Sequence, residues 1–177
     1  RIDSYAPTVL ACASAFAAGL RDCELRELHA DVMQLSLEIA GKTLLGFDPR
    51  REGPRIREAL DAVVAYFDQR LFSPLGVLLP YVRLPARRRF EQAVAELDRI
   101  VLHIVQRARR GIAAAGSAEG GPLLWQLLAA QVEPSTAPEH AAPMSDQQAR
   151  DEAVTMLLAG HETTALAITY ALYALSQ

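Results

Sequence analysis

The chain is predicted to be all-α, and three observations lead there. Apolar residues recur at three- and four-residue spacing in several separate stretches, the signature of one-sided helices. No stretch of useful length alternates apolar with polar, as a half-buried strand would. The ten prolines fall between the periodic stretches or in what would be their first turns. Of the 177 residues, 51% are hydrophobic and 22% charged, so there is enough apolar material for a sizeable core. The net charge of -3 offers no global attraction for nucleic acid.

Residues 2–20 read as a helix rich in small residues, ended by Gly19, with Pro7 marking its first turns. Residues 24–45 form a stronger one. Leu25, Leu28, Val32, Leu35 and Ile39 make one apolar face, and Met33, Leu37, Ala40 and Leu44 widen it, so burial on more than one side is expected. Gly46, Asp48 and Pro49 break it. Pro54 suits the first turn of a third helix over 54–71, with Ile56, Leu60, Val63, Val64 and Phe67 facing inward. The next stretch, to Pro85, holds three prolines and a glycine among large apolar side chains. Such a loop either covers the core or lines a cavity or membrane contact.

A fourth helix is predicted over 86–110, striped by Phe90, Val94, Leu97, Val101, Ile104 and Ala108. Arg87, Arg88 and Arg89 at its start read as a solvated face rather than a phosphate site. Flexible connectors are expected near 111–122 and 131–144, flanking a short helix over 123–130 with Trp125. Cys12 and Cys23 form neither a metal-type pair nor a disulfide framework. No run reaches the roughly 18 uncharged apolar residues of a membrane helix. With Arg1 first and the final pattern unfinished at Gln177, the sequence is expected to be a piece of a longer soluble domain, 1–177 lying within it.

The last helix is the unusual one. Ser145 and Gln148 make a capping box, with Asp146, Asp151 and Glu152 near the positive end of the helix dipole. From there the pattern runs about 32 residues, or about 48 Å at the α-helical rise, apolar nearly all round and so expected to be central and buried. Into it are set Ala159, Gly160, His161, Glu162, Thr163 and Thr164. Thr155, Met156, Ala159, Gly160 and Thr163 share a face. The two small residues leave a notch there, and Thr163 can bond back to the Ala159 carbonyl. Glu162 in apolar surroundings would have a raised pKa, as suits proton transfer. A plain helix crossing explains the same residues about equally well: close approach at Ala159 and Gly160, and Glu162 paired with an arginine. A zinc reading of His161-Glu162 fails because Ala165 stands where the second histidine is needed. His161, off the face, is expected to meet another partner or solvent.

The run Ala159-Gly160-His161-Glu162-Thr163-Thr164 resembles the oxygen-binding motif on the central helix of the cytochrome P-450 haem-thiolate monooxygenases. The approach from Asp151 to Leu158, the stretch from Leu35 to Asp48 and the entry Leu84-Pro85-Ala86-Arg87-Arg88-Arg89-Phe90 are also similar to that family, in its order. The resemblance implies a partial P-450 fold, its small β region lying outside these residues. It implies haem b as cofactor, dioxygen as co-substrate, and electrons from NAD(P)H through a ferredoxin or flavin reductase-type donor. Ala159, Gly160 and Thr164 would lie beside the cofactor. Thr163 would hold the activated oxygen and a water, and Glu162 would relay protons from solvent. Thr155, Leu158 and Ala159 would touch a hydrophobic substrate, with the apolar loop over 71–84 as the lid of its channel.

The family's axial cysteine, its Glu-x-x-Arg pair and its haem-propionate contacts have no counterpart here, and neither Cys12 nor Cys23 has the context of an iron ligand. The fragment alone is therefore expected to be inactive. A bacterial-type cytoplasmic enzyme is expected from the lack of a visible anchor. The competing reading is a non-catalytic helical-bundle binding module, which needs only the amphipathic stripes.

Overall fold

A computed structural model describes residues 2–22, 25–47, 49–72, 85–130 and 144–177. Among them the regular structure is helical throughout. A 3-10 turn over Ile2–Tyr5 leads into α1, Ala6–Ala18, with Pro7 at its start where a missing N–H costs nothing. Only Cys12 of α1 is buried, so its many alanines are not spent on close packing within the described residues.

The second helix, α2, spans Leu28–Ala40, and one π turn over Gly41–Leu45 continues it. It starts four residues later than the periodicity suggests, and Leu25 stands fully in solvent rather than on the apolar face. Val32, Leu35, Leu37, Ala40 and Leu45 are buried, so the expectation of burial on more than one side holds. Gly46 ends the turn at φ 70, a conformation glycine adopts without strain. Its carbonyl accepts from Arg107 Nη2 at 3.1 Å.

Helix α3 runs Pro49–Phe72, so Pro54 lies inside it rather than at its start. Pro49 and Pro54 both fit a first turn; the helix takes the earlier, and only the bond back to the Arg50 carbonyl is lost. Ile56 and Leu60 are fully buried, but Phe67 is half exposed, its ring set edge-on against Tyr66 and Phe90.

Helix α4 spans Pro85–Ala115 and so absorbs the first part of the expected 111–122 connector. Gly111 is there to make room: a Cβ on it would lie 2.5 Å from the Trp125 ring. The break comes at Gly116, with φ 68. Helix α5, Leu123–Ala130, has the predicted bounds, while residues 131–143 and the apolar segment 73–84 lie outside the described residues.

Helix α6, Asp146–Leu175, packs against α2 and α4; α3 also lies on α4, and α5 on α4 and the π turn. One core unites Leu37, Leu45, Phe47, Ile56, Leu60, Val101, Ile104, Val105, Leu124 and Leu157. Arg109 fixes the start of α6, donating to Asp146 at 2.8 Å and to the Met144 carbonyl, while Arg150 reaches Asp98 on α4 at 3.4 Å. No described helix is long and apolar enough to cross a membrane.

Candidate functional site

The capping box that opens α6 forms as predicted. Ser145 Oγ accepts from the Gln148 amide at 3.2 Å, and the Gln148 side chain accepts from the Ser145 amide at 3.0 Å. With its start fixed, the helix presents two unlike faces. The rear stripe is Ala149, Ala153, Leu157, His161 and Ala165, all buried, one residue every helical turn. The front carries Thr155, Ala159, Glu162, Thr163 and Thr164, all exposed, with Met156, Leu158 and Gly160 half-buried at its edges.

The helix is therefore not buried all round within the described residues. Beyond Ala165, Leu166, Tyr170, Tyr173 and Leu175 are exposed. The composition of this half asks for cover, and α2 and α4 lie only on the rear. The same geometry changes the surroundings expected for Glu162. Its side chain is exposed, and no described residue, including the arginine that a plain helix crossing would supply, is its hydrogen-bond or ion partner.

At the expected notch, Ala159 and Thr163 are exposed and Gly160 is half-buried. Ala159 contributes one methyl. Thr163 Oγ1 donates to the Ala159 carbonyl at 2.6 Å, as anticipated, and Thr155 does the same to Asp151 at 2.8 Å. The hydroxyl of Thr163 spends its proton on the backbone and keeps its lone pairs towards the front. Gly160 decides between packing and function. A Cβ there would meet only Leu44 Cδ1, at 3.6 Å, which is ordinary contact. The contact with the π turn would admit alanine, so packing against the described neighbours does not demand glycine, although glycine costs about 1 kcal/mol in a helix interior.

Of the two outcomes expected for His161, a partner or solvent, the structure shows a partner, and it lies on the same helix. His161 is 3% exposed, on the rear stripe, with Nδ1 3.1 Å from the Leu157 carbonyl oxygen and no partner at Nε2 among the described residues. It does not reach solvent. The signal was present: residues 149, 153, 157, 161 and 165 step by four, and the other four are apolar. Ser36, on α2 and 4% exposed, was not singled out by the sequence; its Oγ donates to the Gly160 carbonyl at 3.4 Å. No local pattern pairs residues so far apart in the chain.

Other features lie away from α6. A cleft of about 360 Å³ between α2 and α3 is lined by Gln34, Glu38, Arg57, Glu58 and Asp61 among others, and by none of the notch residues. Cys12 is buried on α1, where Lys42 Nζ approaches its sulfur at 3.5 Å, so it is no ligand for a group at the notch.

Comparison with known proteins covers almost the whole chain. The family model described as Cytochrome P450 matches residues 3–177. Cyclooctatin synthase of Streptomyces melanosporofaciens is 30% identical over 152 residues, which are 85% of this chain and 31% of that protein. Cyclooctat-9-en-7-ol 5-monooxygenase of the same organism is 32% identical over 146 residues, 80% of this chain and 28% of that protein. The chain thus spans under a third of the length of these curated relatives. In fold it is similar to the crystal structure of the cytochrome P450DA heme domain, with a TM-score of 0.73 at 22% identity over 98% of this chain and 36% of that one. A triple mutant of the same domain gives a TM-score of 0.72 at 21% identity.

Proposed function

The chain belongs to the cytochrome P450 family, and on that premise we propose that it forms one wall of a haem pocket in a monooxygenase acting on a hydrophobic substrate. The observation that carries this is Gly160, whose missing side chain no described neighbour requires, next to exposed Ala159 and the back-bonded Thr163. These residues fit a flat macrocycle: small groups where it approaches, hydroxyls beside it, and half-buried Met156 and Leu158 at the edge. Ala159, Gly160 and Thr164 would hold the haem b face. When bound, the haem supplies oxidising chemistry, using dioxygen and electrons from NAD(P)H passed on by a ferredoxin or flavin reductase-type partner.

The residues of the chain then have separate tasks. Thr163, its proton committed to the Ala159 carbonyl, accepts a hydrogen bond from water and so orients a proton donor over the notch. Glu162, exposed and free of partners among the described residues, collects protons from solvent and passes them inward. Thr155, Leu158 and Ala159 meet the substrate. The name of one relative, cyclooctat-9-en-7-ol 5-monooxygenase, favours a cyclic alcohol of that kind as that substrate.

The test uses a full-length haem-loaded protein carrying this chain. Titration with cyclooctat-9-en-7-ol and related hydrophobic compounds should shift the haem spin state, and Thr163→Ala should divert electrons from product to peroxide. A Thr163→Ala protein with normal coupling would remove the assigned role of Thr163. A Gly160→Leu protein that still binds haem and dioxygen normally would remove the reading of the notch.

A further inference from the structure

Thr43, Ser36 and His161 are the buried polar side chains among the described residues, and two of the three lie behind the notch. Thr43 satisfies itself on the Ile39 carbonyl within its own helical segment. Ser36 and His161 act on α6. Nδ1 of His161 faces a carbonyl oxygen, which can only accept, so Nδ1 carries the proton and donates to Leu157. Ser36 crosses from α2 to the carbonyl of Gly160. On the front, Thr163 donates to the carbonyl of Ala159. Three carbonyls within four residues, at 157, 159 and 160, therefore each accept from a side chain in addition to their place in the helix. Side-chain insertion of this kind loosens and bends the backbone ladder.

We propose that His161 and Ser36 are positioning residues, which hold the Leu157 and Gly160 carbonyls from the buried rear of α6 and so set the backbone shape of residues 159–163 on the front. Stability does not explain them. The Nε2 atom of His161 is buried without a partner among the described residues, an unfavourable state that leucine of similar bulk would avoid. Ser36 contributes one long hydrogen bond where alanine would pack without need of one. Local rules broken at a stability cost belong with function. The inference rests on reading residues 159–163 as the haem and dioxygen groove.

The experiment uses the full-length haem-loaded protein carrying this chain and the compound giving the largest spin-state shift. Thermal unfolding, and product formed per NAD(P)H consumed, are measured for His161→Leu, His161→Asn, Ser36→Ala and Thr163→Ala. His161→Leu should keep or raise Tm while coupling falls roughly threefold or more, since small displacements of reacting groups are costly. Asparagine at 161 places an amide where Nδ1 stood and should retain coupling. Ser36→Ala should lower coupling with Tm unchanged. Nitrogen-15 NMR of the histidine ring should show the proton on Nδ1. A His161→Leu protein with lowered Tm and unchanged coupling would make His161 an ordinary core residue and end the proposal, as would a proton found on Nε2. If His161→Leu fails to fold, Ser36→Ala decides by the same pair of readouts. Thr163→Ala separates the two levels: if it uncouples while the rear variants do not, only positioning falls. If it too leaves coupling unchanged, the groove reading falls and the positioning role with it.

Discussion

Two glycines sit inside long helices of this protein, and they are there for different reasons. Gly111 interrupts α4, where a Cβ would come within 2.5 Å of the Trp125 ring. Gly160 interrupts α6, where a Cβ would find Leu44 at a comfortable 3.6 Å. Both carry the same entropic cost, about 1 kcal/mol against alanine. At Gly111 the cost is offset by packing, since α5 lies against α4 through that gap. At Gly160 no described neighbour offsets it. A helix glycine is thus informative only once its surroundings are known: one is a joint between two helices, the other a gap that no described neighbour fills.

The largest effect that would break this comparison is at the joint. Gly111→Val should cost about 3 kcal/mol, the upper end for overpacking a closed site. Trp125 is the only tryptophan, so its fluorescence during urea unfolding reports on the very contact disturbed. An unchanged midpoint would mean that α5 sits more loosely on α4 than the distances state. Next in size is the exposed face of α6 to which the proposed function assigns Glu162. Glu162→Gln in the full-length haem-loaded protein should slow turnover roughly a hundredfold, the scale of a lost proton-transfer group. The same change should leave the unfolding midpoint in place, because the carboxylate is exposed and unpartnered among the described residues. A fall in stability without a fall in turnover would move Glu162 to the structural side.

These two glycines also explain how far the sequence could be read. Local signals succeeded where the cause is local. The capping box at Ser145 and Gln148, the bounds of α5 and the back-bond from Thr163 to Ala159 all involve residues within a few positions of each other. They failed where the cause is distant. Gly111 read as a linker residue because the ring it accommodates is fourteen positions away. Pro54 read as a helix start because Pro49, which takes that role, gives an identical signal. His161 left two outcomes open, another partner or solvent, because the residue type alone does not choose between them; its four-residue register does, and it points inward. The motif itself was readable from residues 159–164, yet the pairing of Ser36 with the Gly160 carbonyl joins residues of two helices far apart in the chain.

A smaller effect sharpens the contrast directly. Gly160→Ala should stabilise the protein by about 1 kcal/mol, since the helix gains and no described neighbour objects. Gly111→Ala should not, because its Cβ would still meet Trp125. In the full-length protein the same Gly160→Ala change should weaken haem or dioxygen binding, read by the carbon monoxide difference spectrum and by oxygen titration. Stability gained together with function lost would mark Gly160 as kept for the ligand. Stability lost would return it to packing.

The smallest effect concerns the ground on which Gly160 rests. Leu44, its neighbour, belongs to the π turn, and Lys42 anchors that turn by pairing with Glu38 at 2.5 Å and approaching Cys12 at 3.5 Å. The hydrogen bond to Glu38, opposed by partial burial, holds the Lys42 ammonium above its ordinary value of 10.5. A raised folded value means that this contribution is fully present below about pH 10.5 and is lost as pH climbs through the folded value. The pair is well exposed, so Lys42→Met should cost only about 0.5 kcal/mol near neutral pH after screening by solvent. Unfolding midpoints of the two proteins should converge above that range and separate below it. If Lys42→Met also removes the gain from Gly160→Ala, the room beside Gly160 depends on how the π turn is held. If the two changes add, the vacancy belongs to α6 alone, and the contrast with Gly111 rests on the helix that carries the motif.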